Sequence, residues 1–280
     1  MPMKQINLND WIQSGESTFG LSYFHKSDET LMLKLAKPGA DRKEFVQEYE
    51  TARRVYELGV PSPEPGELVT CDGLIGILFR RIVGKRSIAR AIADNPDEIP
   101  QLARIYSDAL KKLHSTPCNK DCFRSIKDVY RERMLANPFR SDEMKAKAVE
   151  LLESLPDADT CVHGDMHFGN IIIAGGKYYF IDLGSFSYGY PLFDFAMLCL
   201  IIVFGINFPE RFINDYHCTP EQAIRFRDLV IKDYFGPDTD IEQKLKELEP
   251  YMTVRLFDIE MEMGSKIPEV VAETGYRLLR

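Results

Sequence analysis

The stretch that decides the fold is His163-Gly164-Asp165-Met166-His167-Phe168-Gly169-Asn170, followed further on by Ile181-Asp182-Leu183-Gly184. Upstream, Cys161-Val162-His163 reads as a short strand. Downstream, Ile171-Ile172-Ile173 and Tyr178 to Asp182 read as two more, joined by the hairpin signal Ala174-Gly175-Gly176-Lys177. His163, Asp165, His167, Asn170 and Asp182 therefore gather at strand ends and in loops, where a rigid scaffold presents reactive groups. Any one of them alone reads as a turn residue satisfying nearby backbone. Together, in this order around one hairpin, they ask for a chemical explanation.

Phosphoryl transfer supplies one. It needs a group that orients the attacking hydroxyl and takes its proton, and oxygen ligands that hold Mg²⁺ on the phosphates. In a kinase catalytic loop an Asp fills the first role and an Asn five positions later the second, with an Asp after the next hairpin completing the metal site. Asp165, Asn170 and Asp182 have this spacing. Oxygen-only donors suit a hard cation such as Mg²⁺. A rival reading takes His163-x-Asp165-x-His167 as ligands of zinc or a di-metal centre for hydrolysis. It needs further ligands, only His25, His114 and His217 remain elsewhere, and it leaves Asn170 and Asp182 without a role.

Toward the N-terminus the chain looks like a small strand-rich lobe with one helix. Phe19 to His25 and Thr30 to Ala36 predict strands, Asp41 to Leu58 a helix, and Leu68 to Cys71 with Leu74 to Phe79 a hairpin about Asp72-Gly73. Lys34 lies inside the apolar run Leu31 to Leu35, a costly place for a charge unless it is paired. A lysine that touches the α- and β-phosphates and pairs with a helix glutamate would be satisfied there. Glu48 is the expected partner, with Glu44 one turn earlier as the alternative. Ser14-Gly15-Glu16-Ser17-Thr18-Phe19-Gly20 precedes this lysine, and its small residues, Ser17 and Thr18 among them, can bring amides to phosphates. Phe79 to Ile82 is the expected hinge, where main-chain groups of Arg80 and Ile82 would meet the base. Main-chain recognition carries no side-chain code, so ATP and GTP are not separated. Arg80 to Gly84 reads as the connector, giving a nucleotide-binding lobe over 1–82 and a helical catalytic and substrate-binding lobe over 83–280.

Beyond the connector helical patterns dominate. Glu98 to His114 carries Leu102, Ile105, Tyr106, Ala109, Leu110 and Leu113 on one face, and Thr219-Pro220-Glu221-Gln222 has the form of a capping box. Phe195 to Ile206 is too short an apolar run to span a bilayer and reads as a buried helix. Asp258, Glu260 and Glu262 predict either a solvated helix face or a patch for a cationic amine. Tyr188 and Tyr190 would line a pocket or pack.

The formal net charge of -8 argues against nucleic acid or an anionic membrane as partner. Six cysteines without a framework pattern read as free thiols in a reducing cytosol; His114, Cys118 and Cys122 do not make a recognised zinc spacing. The N-terminal Met1-Pro2-Met3-Lys4-Gln5 has no apolar stretch behind it, which argues against a signal peptide and for a cytoplasmic protein.

With these residues in hand, the chain resembles the aminoglycoside phosphotransferase/choline kinase-like family of the protein-kinase-like fold. His163-Gly164-Asp165-x-His167-x-x-Asn170 resembles the family's catalytic loop. Ile181-Asp182-Leu183-Gly184, then Pro191-Leu192-Phe193-Asp194-Phe195-Ala196, resembles its metal-binding segment and following helix. The spacing from Glu48 to Gly59-Val60-Pro61, and Leu113-His114 at the end of a long helix, also match, so the likeness runs from about Ser14 to Cys199. It implies an α+β, two-lobed fold with a small antiparallel-sheet N-lobe and a mainly helical C-lobe. It also implies a small-molecule kinase using ATP or GTP and Mg²⁺, with Asp165 as base, Asn170 and Asp182 as metal ligands, and Lys34 paired with Glu48. His163 and Asp194 would brace the loop, and His167 would stand behind it. The short span from Asp182 to Pro191, with no Ala-Pro-Glu close behind, disfavours a protein substrate. A catalytically idle nucleotide-binding module is the alternative, although such a module would tolerate losing one of the five residues. The acceptor hydroxyl is not named by any motif.

Overall fold

The alternation of apolar and polar residues in the N-terminal third and the helical periods beyond it give the following elements. They are β1 (Lys4–Gln5), β2 (Trp11–Glu16), β3 (Gly20–His25), β4 (Leu31–Ala36), α1 (Arg42–Glu57), β5 (Pro65–Cys71), β6 (Leu74–Arg80), β7 (Arg86–Ser87), α2 (Ile88–Asp94), α3 (Ile99–His114), α4 (Ile126–Ala136) and α5 (Asp142–Ser154). There follow β8 (Thr160–Val162), β9 (Ile171–Ala174), β10 (Lys177–Phe180), β11 (Ser187–Gly189), α6 (Leu192–Asn207), α7 (Pro209–Tyr216), α8 (Pro220–Phe235), α9 (Ile241–Met263) and α10 (Glu269–Gly275). The structure is a computed structural model and describes residues 3–16 and 20–279. The chain divides into two units, Met1–Arg86 with Ile172–Gly184, and Ser87–Ile171 with Ser185–Arg280.

The first unit is built on a six-stranded sheet of order β1-β5-β6-β4-β3-β2, antiparallel except where β1 runs parallel to β5. Successive strand side chains point to opposite faces. Leu33 and Leu35 of β4 therefore join Trp11, Tyr23, Val69, Cys71 and Leu78 on one face. The other face packs Ala36, Ile75, Ile77 and Phe79 against Phe45 and Ala52 of α1. Register sets Lys34 opposite Ser22 on one side and Ile77 on the other, in the middle of the sheet. Helix α1 starts at Asp41, whose side chain accepts from the Lys43 amide at 2.8 Å. β2 was not expected: Ser14-Gly15 reads as loop, but the strand continues through a register shift between Gln13 and Gly15. Such a bulge admits the residues that sequence rules assign to turns.

The second unit is helical around α6, whose Phe193, Phe195, Ala196, Leu198, Leu200 and Ile202 are all buried. A helix apolar on every side belongs inside a core. Here α6 shares one cluster with Ile126 and Tyr130 of α4, Leu152 of α5, and Val254, Leu256 and Phe257 of α9. Helix α3 packs on α8, with Tyr106 edge-on to Phe226 at 5.3 Å. Thr219 and Gln222 form the full capping box at the start of α8. Among the described residues no helix is long and apolar enough to cross a membrane.

Candidate active site

The loop from His163 to Asn170 leaves strand β8, which pairs antiparallel with β11 through Val162 opposite Ser187. Gly164 turns the chain at φ 82°, and a Cβ there would lie 2.3 Å from the Ser185 carbonyl oxygen. Only glycine fits. Behind the turn stands Asp194, fully buried in the first turn of α6. Its Oδ1 accepts from the Gly164 amide at 2.8 Å, and its Oδ2 from the His163 amide at 2.9 Å and His114 Nε2 at 3.0 Å. A helix N-terminus favours a carboxylate there. His114 Nδ1 in turn shares a hydrogen bond with the Tyr234 hydroxyl at 2.8 Å, so α3, α6 and α8 hold one loop. His114 is thereby engaged, none of the six cysteines is in a disulfide, and no three His, Cys, Asp or Glu among the described residues form a metal cluster.

Within the loop the polar residues fasten one another. The Asp165 amide donates to His163 Nδ1 at 3.3 Å and the Gly169 amide to His167 Nδ1 at 3.0 Å. Asn170 Nδ2 donates to the Asp165 carbonyl at 2.8 Å and to its carboxylate Oδ2 at 3.3 Å. With its amide nitrogen so directed, Asn170 has its oxygen as the available ligand atom, of the kind a hard cation takes. His163 and His167 both turn a ring nitrogen to loop backbone, which weighs against their chelating a metal together with Asp165. Burial pushes the Asp165 carboxyl up, but the nearby His167, Arg255 and His163 outweigh it and hold Asp165 below the usual carboxylate value.

Arg255, on α9, has no part in the sequence reading. Its guanidinium is wholly buried, and Nη2 lies 3.1 Å from Asp165 Oδ1. Nη1 meets Glu262 at 3.1 Å and also pairs with Asp258. A sequence signal existed: Arg255 sits in Val254-Arg255-Leu256-Phe257, where a buried charge demands a partner. The α9 acids correct both expectations made for them. Asp258 is buried and paired with Arg133 and Arg255, and Glu260 is buried against Arg140, Asn137 and the Ile267 amide. Neither is a solvated face nor a free pair of charges for an amine. Glu262 is exposed and is held by Arg133 and Arg255.

In the first unit, Lys34 Nζ lies 2.5 Å from Glu48 Oε1 and 3.5 Å from Asp182 Oδ1, while Glu44 is exposed. Burial alone would lower the Lys34 pKa; Glu48 and then Asp182 overcome it, so the ammonium is held charged above its ordinary value. Asp182 follows β10 at φ 57°, a left-handed conformation that Asp adopts more readily than most residues. The β9–β10 turn preceding it uses Gly175 and Gly176 at φ 54° and 74°, as a type I′ hairpin requires. The hinge residues lie at the end of β6. The Arg80 amide donates to the Glu64 carbonyl at 2.8 Å, which occupies that donor, and its side chain is exposed near Glu64. Ile82 lines a groove of about 550 Å³ with Tyr56, Ser62, Val83 and Tyr179. Ser17 and Thr18, between β2 and β3 in the sequence, lie outside the described residues.

Residues 16–228 match the model of a family described as the phosphotransferase enzyme family. A thermostable mutant of aminoglycoside phosphotransferase APH(4)-Ia is similar in structure at a TM-score of 0.62 and 15% identity, over 96% of this chain and 92% of that one. The amicoumacin kinase hAmiN, in complex with AMP-PNP, Ca²⁺ and Ami, is similar at 0.61 and 13%, over 99% and 89%. A choline/ethanolamine kinase family protein from Mesorhizobium loti is similar at 0.58 and 14%, over 96% and 86%. A comparison with curated protein sequences gives no match. At these identities the structural likeness establishes the kinase-like fold, with an antiparallel-sheet N-terminal part and a helical C-terminal part. The family match covers most of the chain, and the chain belongs to the phosphotransferase enzyme family.

Proposed function

We propose that this protein is a small-molecule kinase that transfers the γ-phosphoryl group of ATP or GTP to a hydroxyl of a small acceptor. The first unit would bind the nucleotide, and the second would carry the base and the acceptor. Asp165 receives the proton as the acceptor oxygen bonds to the γ-phosphorus, and the bond from that phosphorus to the bridging oxygen breaks to release the diphosphate. Lys34, fixed and kept charged by Glu48, meets the α- and β-phosphates. Bound Mg²⁺ would neutralise charge on the β- and γ-phosphates, and Asn170 and Asp182 offer the oxygen atoms to hold it. Ser17, Thr18 and main-chain groups near Arg80 and Ile82 would complete the nucleotide site. The cytoplasm, where six cysteines outside any disulfide stay reduced, is the fitting compartment.

One observation carries the reading: Asn170 is tied to Asp165 by its amide nitrogen, so that one loop presents an aimed carboxylate beside a ligand oxygen. Similar structures hold AMP-PNP in one case and ADP with hygromycin B in another, which supports a nucleotide as donor. The test is a panel of hydroxyl metabolites and aminoglycosides with radiolabelled ATP and GTP, scored for labelled product. Asp165→Ala should abolish transfer and spare nucleotide binding. Transfer that persists in this variant would remove Asp165 as the base.

A further inference from the structure

We propose that Arg255 is a positioning residue for phosphoryl transfer, aiming the Asp165 carboxylate from helix α9. The inference rests on the reading of Asp165 as base. Asp165 Oδ2 is held from within its own loop by Asn170, whereas Oδ1 is held from a different element, by Arg255 Nη2 at 3.1 Å. A carboxylate gripped at both oxygens cannot rotate about its Cβ–Cγ bond, and its orientation toward an acceptor hydroxyl is set before the acceptor arrives.

The guanidinium is itself fixed. Glu262 accepts from Nη1 at 3.1 Å and from Nη2 at 3.3 Å, and Asp258 pairs with Nη1. Arg133 of α4 bridges the same Asp258 and Glu262, so two guanidinium groups and two carboxylates form the mount on which the third carboxylate, Asp165, is set. Stability is a poor explanation for this arrangement. A wholly buried arginine carries a large desolvation cost, and here its Nε, like the neighbouring Tyr130 hydroxyl, has no protein hydrogen-bond partner among the described residues. Apolar side chains of similar volume in place of the whole network, arginine and carboxylates together, would commonly hold such a helix at least as well. What an apolar side chain cannot do is aim Asp165.

The experiment measures turnover of Mg·ATP, with water or any acceptor from the panel, in Arg255→Lys, Glu262→Gln and the Asp165→Ala control. A lysine keeps a charge near Asp165 but not the fork that joins it to Glu262. In Arg255→Lys kcat should fall about 10- to 100-fold, the cost expected of a misaimed reacting group, while KM for the nucleotide stays within about twofold. Glu262→Gln, at an exposed position that leaves the core intact, should lower kcat in the same direction by a smaller factor. Folding of each variant is checked by its thermal midpoint. If both variants fold and kcat stays within about twofold of native while Asp165→Ala is dead, Arg255 has no positioning role and the base survives. If KM moves and kcat does not, Arg255 acts on binding and the inference is overturned. If Asp165→Ala turns over normally, or the native protein turns over nothing, the underlying reading fails and this inference falls with it.

Discussion

At the scale of single residues, the loop is defined by what cannot be replaced. Asp194 carries three hydrogen bonds on one buried carboxylate, two of them from consecutive loop amides. In Asp194→Asn an NH₂ group must face one of these donors. We expect a loss of about 3 kcal/mol in urea unfolding, in the range for breaking a buried charged hydrogen-bond network. A loss below about 0.5 kcal/mol would mean that the loop is held by something else. Asp165 makes a pH prediction. Its pKa is held below the ordinary value of 3.8, so the folded state binds its proton less readily than the unfolded chain. Its contribution to stability is therefore complete above the unfolded carboxylate pKa and is lost as pH falls through the lower folded value. Asp165→Asn should flatten the decline of unfolding free energy below about pH 4, and an unchanged slope would contradict this origin of the shift.

At the scale of elements, local sequence rules worked where a single segment carries its own signal. The α8 cap is one case. Thr219 Oγ1 accepts from the Gln222 amide at 3.3 Å, and Gln222 Oε1 accepts from the Thr219 amide at 2.8 Å. Thr219→Ala should cost about 1 kcal/mol in thermal or urea unfolding without altering nucleotide binding. Helix α1 and the strands β3, β4, β5 and β6 were legible for the same reason: their periods and their turn residues agree. Strand β2 was not, because Ser14-Gly15 carries turn chemistry inside a bulged strand. Helix α9 was legible as a helix but not in what its charges do. Its acids read as solvent-facing because charged residues usually are, whereas Asp258 and Glu260 are buried on arginines from α4 and the segment before α5.

At the scale of the whole molecule, a ligand that binds only the folded state stabilises it by mass action. Mg·ATP or Mg·GTP at ~100 times its dissociation constant should raise unfolding free energy by ~2.7 kcal/mol. Chelating the metal should remove most of this gain. A protein whose thermal midpoint responds to neither nucleotide would not be a nucleotide-dependent enzyme of the kind proposed. Lys34→Met should abolish the shift, since it removes the cation proposed to meet the phosphates and leaves the half-buried Glu48 without its 2.5 Å partner.

Periods, turns and residue spacings within short segments made the class of fold, several helices and strands, and the loop around Asp165 legible in the amino-acid order. That Glu48 rather than Glu44 takes Lys34, that His114 braces Asp194, and that Arg255 grips Asp165 emerges once the chain is folded. Arg255 and Asp165 are 90 residues apart and His114 and Asp194 80, while the two glutamates open to Lys34 stand one helical turn from each other. Spacing along the chain does not by itself record which distant charges meet. Burial does, because a charge taken out of water must find its counterpart wherever the fold brings one.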